Sequence, residues 1–303
     1  MARNNIVLGN DPAFKPHNQY APAPQYGQQA SQFGQQAQYG QSPQYGQQAP
    51  QYGESDLESM YARPSATGHD TGRLTWRDAL NAITATLGVI IVVGAGVMFL
   101  PTILGIVMGP QGEQLGYALS TVAAIVGAIG GLIAVLVGAF RKQPSMAVTL
   151  SYAVFEGLFV GGISGIFERM YPGIVFQAVL GTLAVAGAVL VLFRSGKVRT
   201  SPRMNKIFMV ALGAYVLFSI ANLVIVLMGG GSLRTGALGL VIGAIAVLMA
   251  SYSLVMDFEL VQNSVENGAP RNYAWMGALA LAVTLVWLYV EILRILAILR
   301  GND

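Results

Sequence analysis

Residues 274–299 read AWMGALALAVTLVWLYVEILRILAIL, a run in which only Glu291 and Arg294 are charged. As an α-helix this run is about 39 Å long, enough to cross a hydrocarbon core about 30 Å thick. Glu291 falls about nine residues before the end of the run, or about 13 Å along a helix. An ionised side chain at bilayer depth costs roughly 2.5 kcal/mol or more on insertion scales. Arg294 follows at i+3 on the same helical face and offers a local ion pair. Both charges must still avoid lipid, so the sequence puts this helix inside a bundle.

Six more apolar blocks precede it, at approximately 79–107, 117–140, 147–167, 174–193, 207–228 and 237–258. The breaks between them are chemical: GPQGEQ at 109–114, RKQPS at 141–145, ERMYPG at 168–173, RSGKVRTSPRMNK at 194–206, GGGSLRTG at 229–236 and VENGAPRN at 265–272. The first block is long for one crossing and carries Pro101 near its far end, so it should tilt, kink or end in a short re-entrant piece. With 54% apolar and 10% charged residues, against about 25% charged in soluble domains, the composition agrees. The fold class that follows is an all-α integral membrane protein, a seven-transmembrane-helix bundle with the last helix central.

Residues 1–72 differ in kind. They repeat a Gln-Tyr/Phe-Gly-Gln unit with aromatic residues at Tyr26, Phe33, Tyr39, Tyr45 and Tyr52. Glutamine, glycine and proline without aliphatic periodicity bury too little surface to offset backbone ordering, so a disordered tail is expected. The segment has no apolar core of a secretory signal. The predicted organisation is a tail over 1–72 and a transmembrane domain over 73–303.

Orientation follows from Lys and Arg placement. Arg73 and Arg77 precede the first span, Arg141 and Lys142 separate the second from the third, and Arg194, Lys197, Arg199, Arg203 and Lys206 separate the fourth from the fifth. The alternate loops hold no Lys or Arg, then only Arg169, then only Arg234. The positive-inside rule therefore predicts a cytoplasmic N-terminus and an outside C-terminus. Small residues recur at four-residue spacing, in Gly127 with Gly131, Gly157 with Gly161 and Gly165, and Gly239 with Gly243. Such faces let helix backbones approach closely in lipid, and packing within one bundle is the first reading.

Several chemistries are excluded. There is no cysteine, and the histidines, His17 and His69, both precede the first span. Gly162-Ile163-Ser164-Gly165 has the form G-x-S-G of rhomboid-type proteases, yet no span supplies a histidine base, so Ser164 reads as part of a packing face. No H-E-x-x-H and no G-x-x-x-x-G-K-[ST] occurs. Haem or redox ligands are lacking. The chain reads as a non-enzyme without a resident cofactor. Its basic residues are scattered over separate loops, so no nucleic-acid partner is implied.

Three acids inside apolar blocks carry the functional question: Glu156, Asp257 and Glu291. Glu156 sits near the middle of the third span, ahead of a glycine-lined stretch, where it either hydrogen-bonds a neighbouring helix or faces a polar cavity. Asp257 lies near the cytoplasmic end of the sixth span. Glu259, two residues on, points to the opposite side of that helix. Glu168 and Arg169, at the outer end of the third span, read as a solvated interfacial pair.

These motifs resemble a family. Leu254-Val-Met-Asp257-Phe-Glu-Leu-Val261 is similar to the aspartate-bearing end of the sixth helix in the transmembrane Bax inhibitor motif (YccA-like) family. Trp287-Leu-Tyr-Val-Glu291-Ile-Leu-Arg-Ile-Leu296 resembles its seventh-helix signature, and Phe155-Glu156-Gly157-Leu158 its acid-glycine motif. The resemblance covers about 73–300 and implies six helices around a central seventh, with a pH-sensitive calcium leak. It implies an ion pathway or pH latch at Asp257 and Glu291, with Glu156 a further acid and weak, transient calcium ligation by the three acids; Arg294, by its i+3 position, is the candidate charge partner. Two close carboxylates in low dielectric cannot both ionise cheaply, so a proton can compete with Ca²⁺ for them. Two features depart from the family. Position 291 is glutamate where aspartate is usual, and 34 residues separate it from Asp257. In a simple hairpin turning at Asn267–Pro270 the two acids differ in depth by roughly 16 Å. Contact then requires an asymmetric loop; otherwise Glu291 pairs with Glu156 while Asp257 guards the cytoplasmic mouth. A bacterial plasma membrane is the expected location. The rival function is a non-conducting regulator of membrane protein complexes, such as a membrane protease, acting through residues 1–72.

Overall fold

The chain divides into two units, Met1–Thr67 and Gly68–Asp303. A computed structural model describes residues 72–301. The tail expected over 1–72 therefore lies outside the described residues, apart from Gly72. Within them the helices are α1 (Trp76–Met98), α2 (Leu100–Met108), α3 (Pro110–Phe140), α4 (Met146–Met170), α5 (Ile174–Arg194), α6 (Pro202–Leu227), α7 (Gly236–Glu266) and α8 (Tyr273–Arg300). With α1 and α2 taken together, seven are long and apolar enough to cross a membrane.

The long first span breaks where proline dictates. Pro101 has no N–H to give to the Val97 carbonyl four residues earlier, and a carbonyl left bare in lipid is costly. Val97 O accepts a backbone N–H at the helix end instead, and Ser120 on α3 adds a second donor, its Oγ lying 2.9 Å away. The helix restarts as α2 with Pro101 in its first turn. Gly109, at φ 71°, then turns the chain into α3.

Two kinds of seam join the helices. On α4, Gly157 and Gly161 face α1, where a Cβ on Gly157 would lie 2.7 Å from Val93 Cβ and one on Gly161 would collide with the Gly94 backbone. The backbones of α1 and α4 are thus in near contact, the arrangement by which helices associate in lipid. The α7 glycines Gly239 and Gly243 instead make room for the Ile298 and Ile295 side chains of α8. α8 is the central element: it packs against α1, α4, α5 and α7, and half of its apolar window is buried, the largest share of any span.

α6 is attached differently. Phe208 is its only buried residue. Its half-buried residues include Asn205, Leu212, Tyr215, Ser219 and Asn222, a stripe of helical period rich in polar side chains. Asn205 accepts from Tyr252 of α7, and the Phe208 and Tyr252 rings lie 5.4 Å apart. Hydrogen bonds, rather than close backbone packing, hold this helix.

At one end of the bundle the chain ahead of α1 is bound to the α7–α8 turn. Arg73 and Pro270 form an antiparallel bridge, with Leu74 N donating to Ala269 O at 2.7 Å and Arg271 N donating to Gly72 O at 3.0 Å. Asp78 completes a capping box with Thr75 and accepts from Arg271 Nε at 2.9 Å. At the other end, Arg300 donates to Pro172 O at 2.8 Å, tying the end of α8 to the α4–α5 turn.

Candidate functional site

Glu291 is 2% exposed on the inward face of α8. Arg294, one turn on, makes an ion pair with its Oε2. A second arginine comes from the α6–α7 loop: Arg234 Nη2 lies 2.7 Å from Glu291 Oε1. Tyr215 of α6 donates its hydroxyl to the same Oε1 and accepts from Arg234 Nη2. The Arg234 guanidinium also sits 5.2 Å from the centroid of the Tyr215 ring, which in turn lies 5.6 Å from Trp287.

The loop chemistry explains how Arg234 gets there. Gly229 and Gly236, at φ 84° and 59°, bracket the loop and take conformations other residues avoid. Asn222 at the end of α6 fixes its course, its Oδ1 accepting from Leu233 N at 2.7 Å. In the sequence, Arg234 was visible only as the one charge in its loop, and the pairing depends on this folded path.

Glu156 shares a cavity with this cluster. The cavity has a volume of about 330 Å³, and its polar lining comes from Tyr152, Glu156, Tyr215, Ser219, Arg234 and Glu291. The glycine at 131 admits the carboxylate, since a Cβ there would stand 2.8 Å from Glu156 Oε2. Tyr152, one turn earlier on α4, is a hydrogen-bond partner of Glu156. Ser219 Oγ is buried without a partner. Apolar residues of α3, α4 and α8 complete the walls. The cavity thus carries one carboxylate bound to two arginines and a second acid with no arginine.

Asp257 stands apart. It is 9% exposed, and Thr284 of α8 stands beside its carboxylate. Thr284 precedes Glu291 by two helical turns, or about 10 Å. The Asp257–Glu291 contact of the implied latch is therefore not made, for the reason given by helix rise in a hairpin with a short turn. Among the described residues no three His, Asp or Glu side chains gather closely enough to hold a metal ion, so the three acids form no common calcium cage.

Several other polar residues of the spans have structural partners. Ser164 is hydrogen-bonded to the Tyr289 hydroxyl at 2.7 Å. Glu168 does not pair with Arg169. It takes the Gly173 and Val175 amides at 2.6 and 3.1 Å, since the unpaired N–H groups at the start of α5 attract an anion. Arg169 lies instead over the Tyr117 ring, 4.3 Å from its centroid. Glu259, on the other side of α7 from Asp257, accepts from Thr200 N at 2.9 Å and holds the α5–α6 loop.

No individual curated protein matches the chain. The family model described as Bax inhibitor 1 like matches residues 12–301, and the chain belongs to that family of multi-pass membrane proteins.

Proposed function

We propose that this protein is a passive, proton-sensitive cation pathway, with calcium as its ion, in a bacterial plasma membrane with the Gly72 end of the bundle on the cytoplasmic side. The observation that carries the reading is the single cavity walled by both Glu156 and Glu291. A carboxylate-lined cavity replaces part of a cation's hydration shell with hard oxygens while water supplies the rest, the balance a conducting site needs. Arg234 acts as the closure: its guanidinium is a tethered cation on the carboxylate that a passing ion would use. Opening requires the α6–α7 loop to withdraw, and Arg294 then stays with Glu291. Protons compete with calcium for the same oxygens, so acidification lowers flux.

Calcium uptake into proteoliposomes with an internal reporter dye tests this reading. Glu156→Gln combined with Glu291→Gln lowers uptake by about tenfold or more, a barrier change of about 1.4 kcal/mol. Arg234→Gln raises uptake and leaves Arg294 to neutralise the acid. Uptake at the wild-type rate in the double acid variant would overturn the proposal.

A further inference from the structure

Asp257 has a hydrogen-bond problem that the cavity does not solve. It lies on α7 about 13 Å from the helix end at Glu266. Ser253 precedes it by one turn on the same face, and Thr284 reaches across from α8. The Ser253 and Thr284 hydroxyls are 3.1 Å apart, and Thr284 also stands beside the carboxylate. Each hydroxyl has one proton to donate. If Thr284 gives its proton to Asp257, the bond between the hydroxyls must use the proton of Ser253. None then remains for Asp257 Oδ2, which is buried without a partner. No arginine or lysine forms an ion pair with Asp257 among the described residues. The network is short of one positively charged species.

We propose that Asp257, Ser253 and Thr284 form a binding site for one sodium ion, separate from the cavity of Glu156 and Glu291. A single carboxylate balances a single charge. Calcium takes six to eight oxygens and usually more than one acid, and among the described residues Asp257 belongs to no group of three His, Asp or Glu side chains that could hold a metal. The carboxylate and two hydroxyls are hard oxygen donors, which suit a hard alkali cation. Oxygen lone pairs on Ser253 and the free Oδ2 are available to it. The seam is tight: Ala250, Leu254 and Leu288 around it are fully buried, which favours a small ion over potassium. The site does not depend on the proposed calcium pathway.

The test uses the full chain, purified in detergent, at constant ionic strength, with sodium exchanged for potassium or choline. Sodium raises the unfolding midpoint of the wild type, and potassium and choline do not. Asp257→Asn and Thr284→Val abolish the sodium response, while Glu291→Gln retains it. Radioactive sodium binding read by scintillation proximity gives one saturable site, weakened by about tenfold or more in Thr284→Val. Should Asp257→Asn fail to fold, Ser253→Ala keeps the acid, and a weakened sodium response there supports the site. A midpoint and a binding signal indistinguishable between sodium and choline would overturn the proposal and leave a protonated Asp257. A sodium response that persists unchanged in Thr284→Val and Ser253→Ala would overturn the assignment to these residues.

Discussion

Glu291 is held by two arginines of different origin, one on its own helix and one delivered by a loop. That redundancy predicts unequal costs. Arg234→Ala leaves Glu291 paired with Arg294 and loses charged hydrogen bonds of about 1.5–3 kcal/mol. Removing both arginines strands a buried charge, which costs about 3–5 kcal/mol beyond the single changes. Unfolding measured for the two single variants and the double variant checks this: additive losses would mean the arginines do not share one acid. At this scale the sequence was partly legible. The Glu291–Arg294 pair follows from i, i+3 spacing within one helix, and the buried position of Glu291 follows from its depth in an apolar run. Arg234 did not follow, because its partner is set by Asn222 and two glycine turns acting on a loop. The Glu168 assignment failed for a related reason. Its neighbour in sequence was a plausible ion partner, but the open amides of the next helix lie closer to its oxygens.

Among the elements, the contrast between α4 and α6 has measurable consequences. The α1–α4 seam depends on backbone approach at Gly161, where a methyl group would meet the backbone of Gly94 with nothing flexible to yield. Gly161→Ala therefore destabilises by about 1–3 kcal/mol through overpacking, despite the better helix propensity of alanine. The same change at Gly213, on the exposed side of α6 with open space around it, stabilises slightly or has no effect. Thermal unfolding of the two variants in one detergent separates these outcomes, and equal effects would contradict the seam. Span number and approximate limits were readable from hydropathy, because a bilayer imposes length and polarity on each crossing. The glycine spacing announced close seams, though not which helices they join. Pro101 announced a break, but the second donor to Val97 O, from Ser120, comes from 23 positions further along the chain and has no local signal.

For the molecule as a whole, the three acids occupy different levels of the bundle, with Glu156 and Glu291 sharing one cavity and Asp257 two turns away along α8. Helix rise in a simple hairpin sets Asp257 and Glu291 at different depths and leaves their contact to an asymmetric loop. The family resemblance, read by itself, would have joined them. Orientation is open to direct measurement because the chain has no cysteine. Lys142→Cys and Gly231→Cys, each introduced alone, place a thiol in the α3–α4 loop and the α6–α7 loop. In sealed bacterial cells an impermeant maleimide labels position 231 and not position 142; the reverse pattern would invert the proposed topology. The bridge between Arg73 and Pro270 gives the bundle a mechanical property as well. Tension applied to the chain ahead of Gly72 is not absorbed by α1 alone. It loads the two backbone hydrogen bonds to the α7–α8 turn and, through the Arg271–Asp78 ion pair, the start of α1. The α7–α8 turn is therefore the first point in the membrane unit to feel a pull on the N-terminal segment, and the two helices it joins are those that carry Asp257 and Glu291.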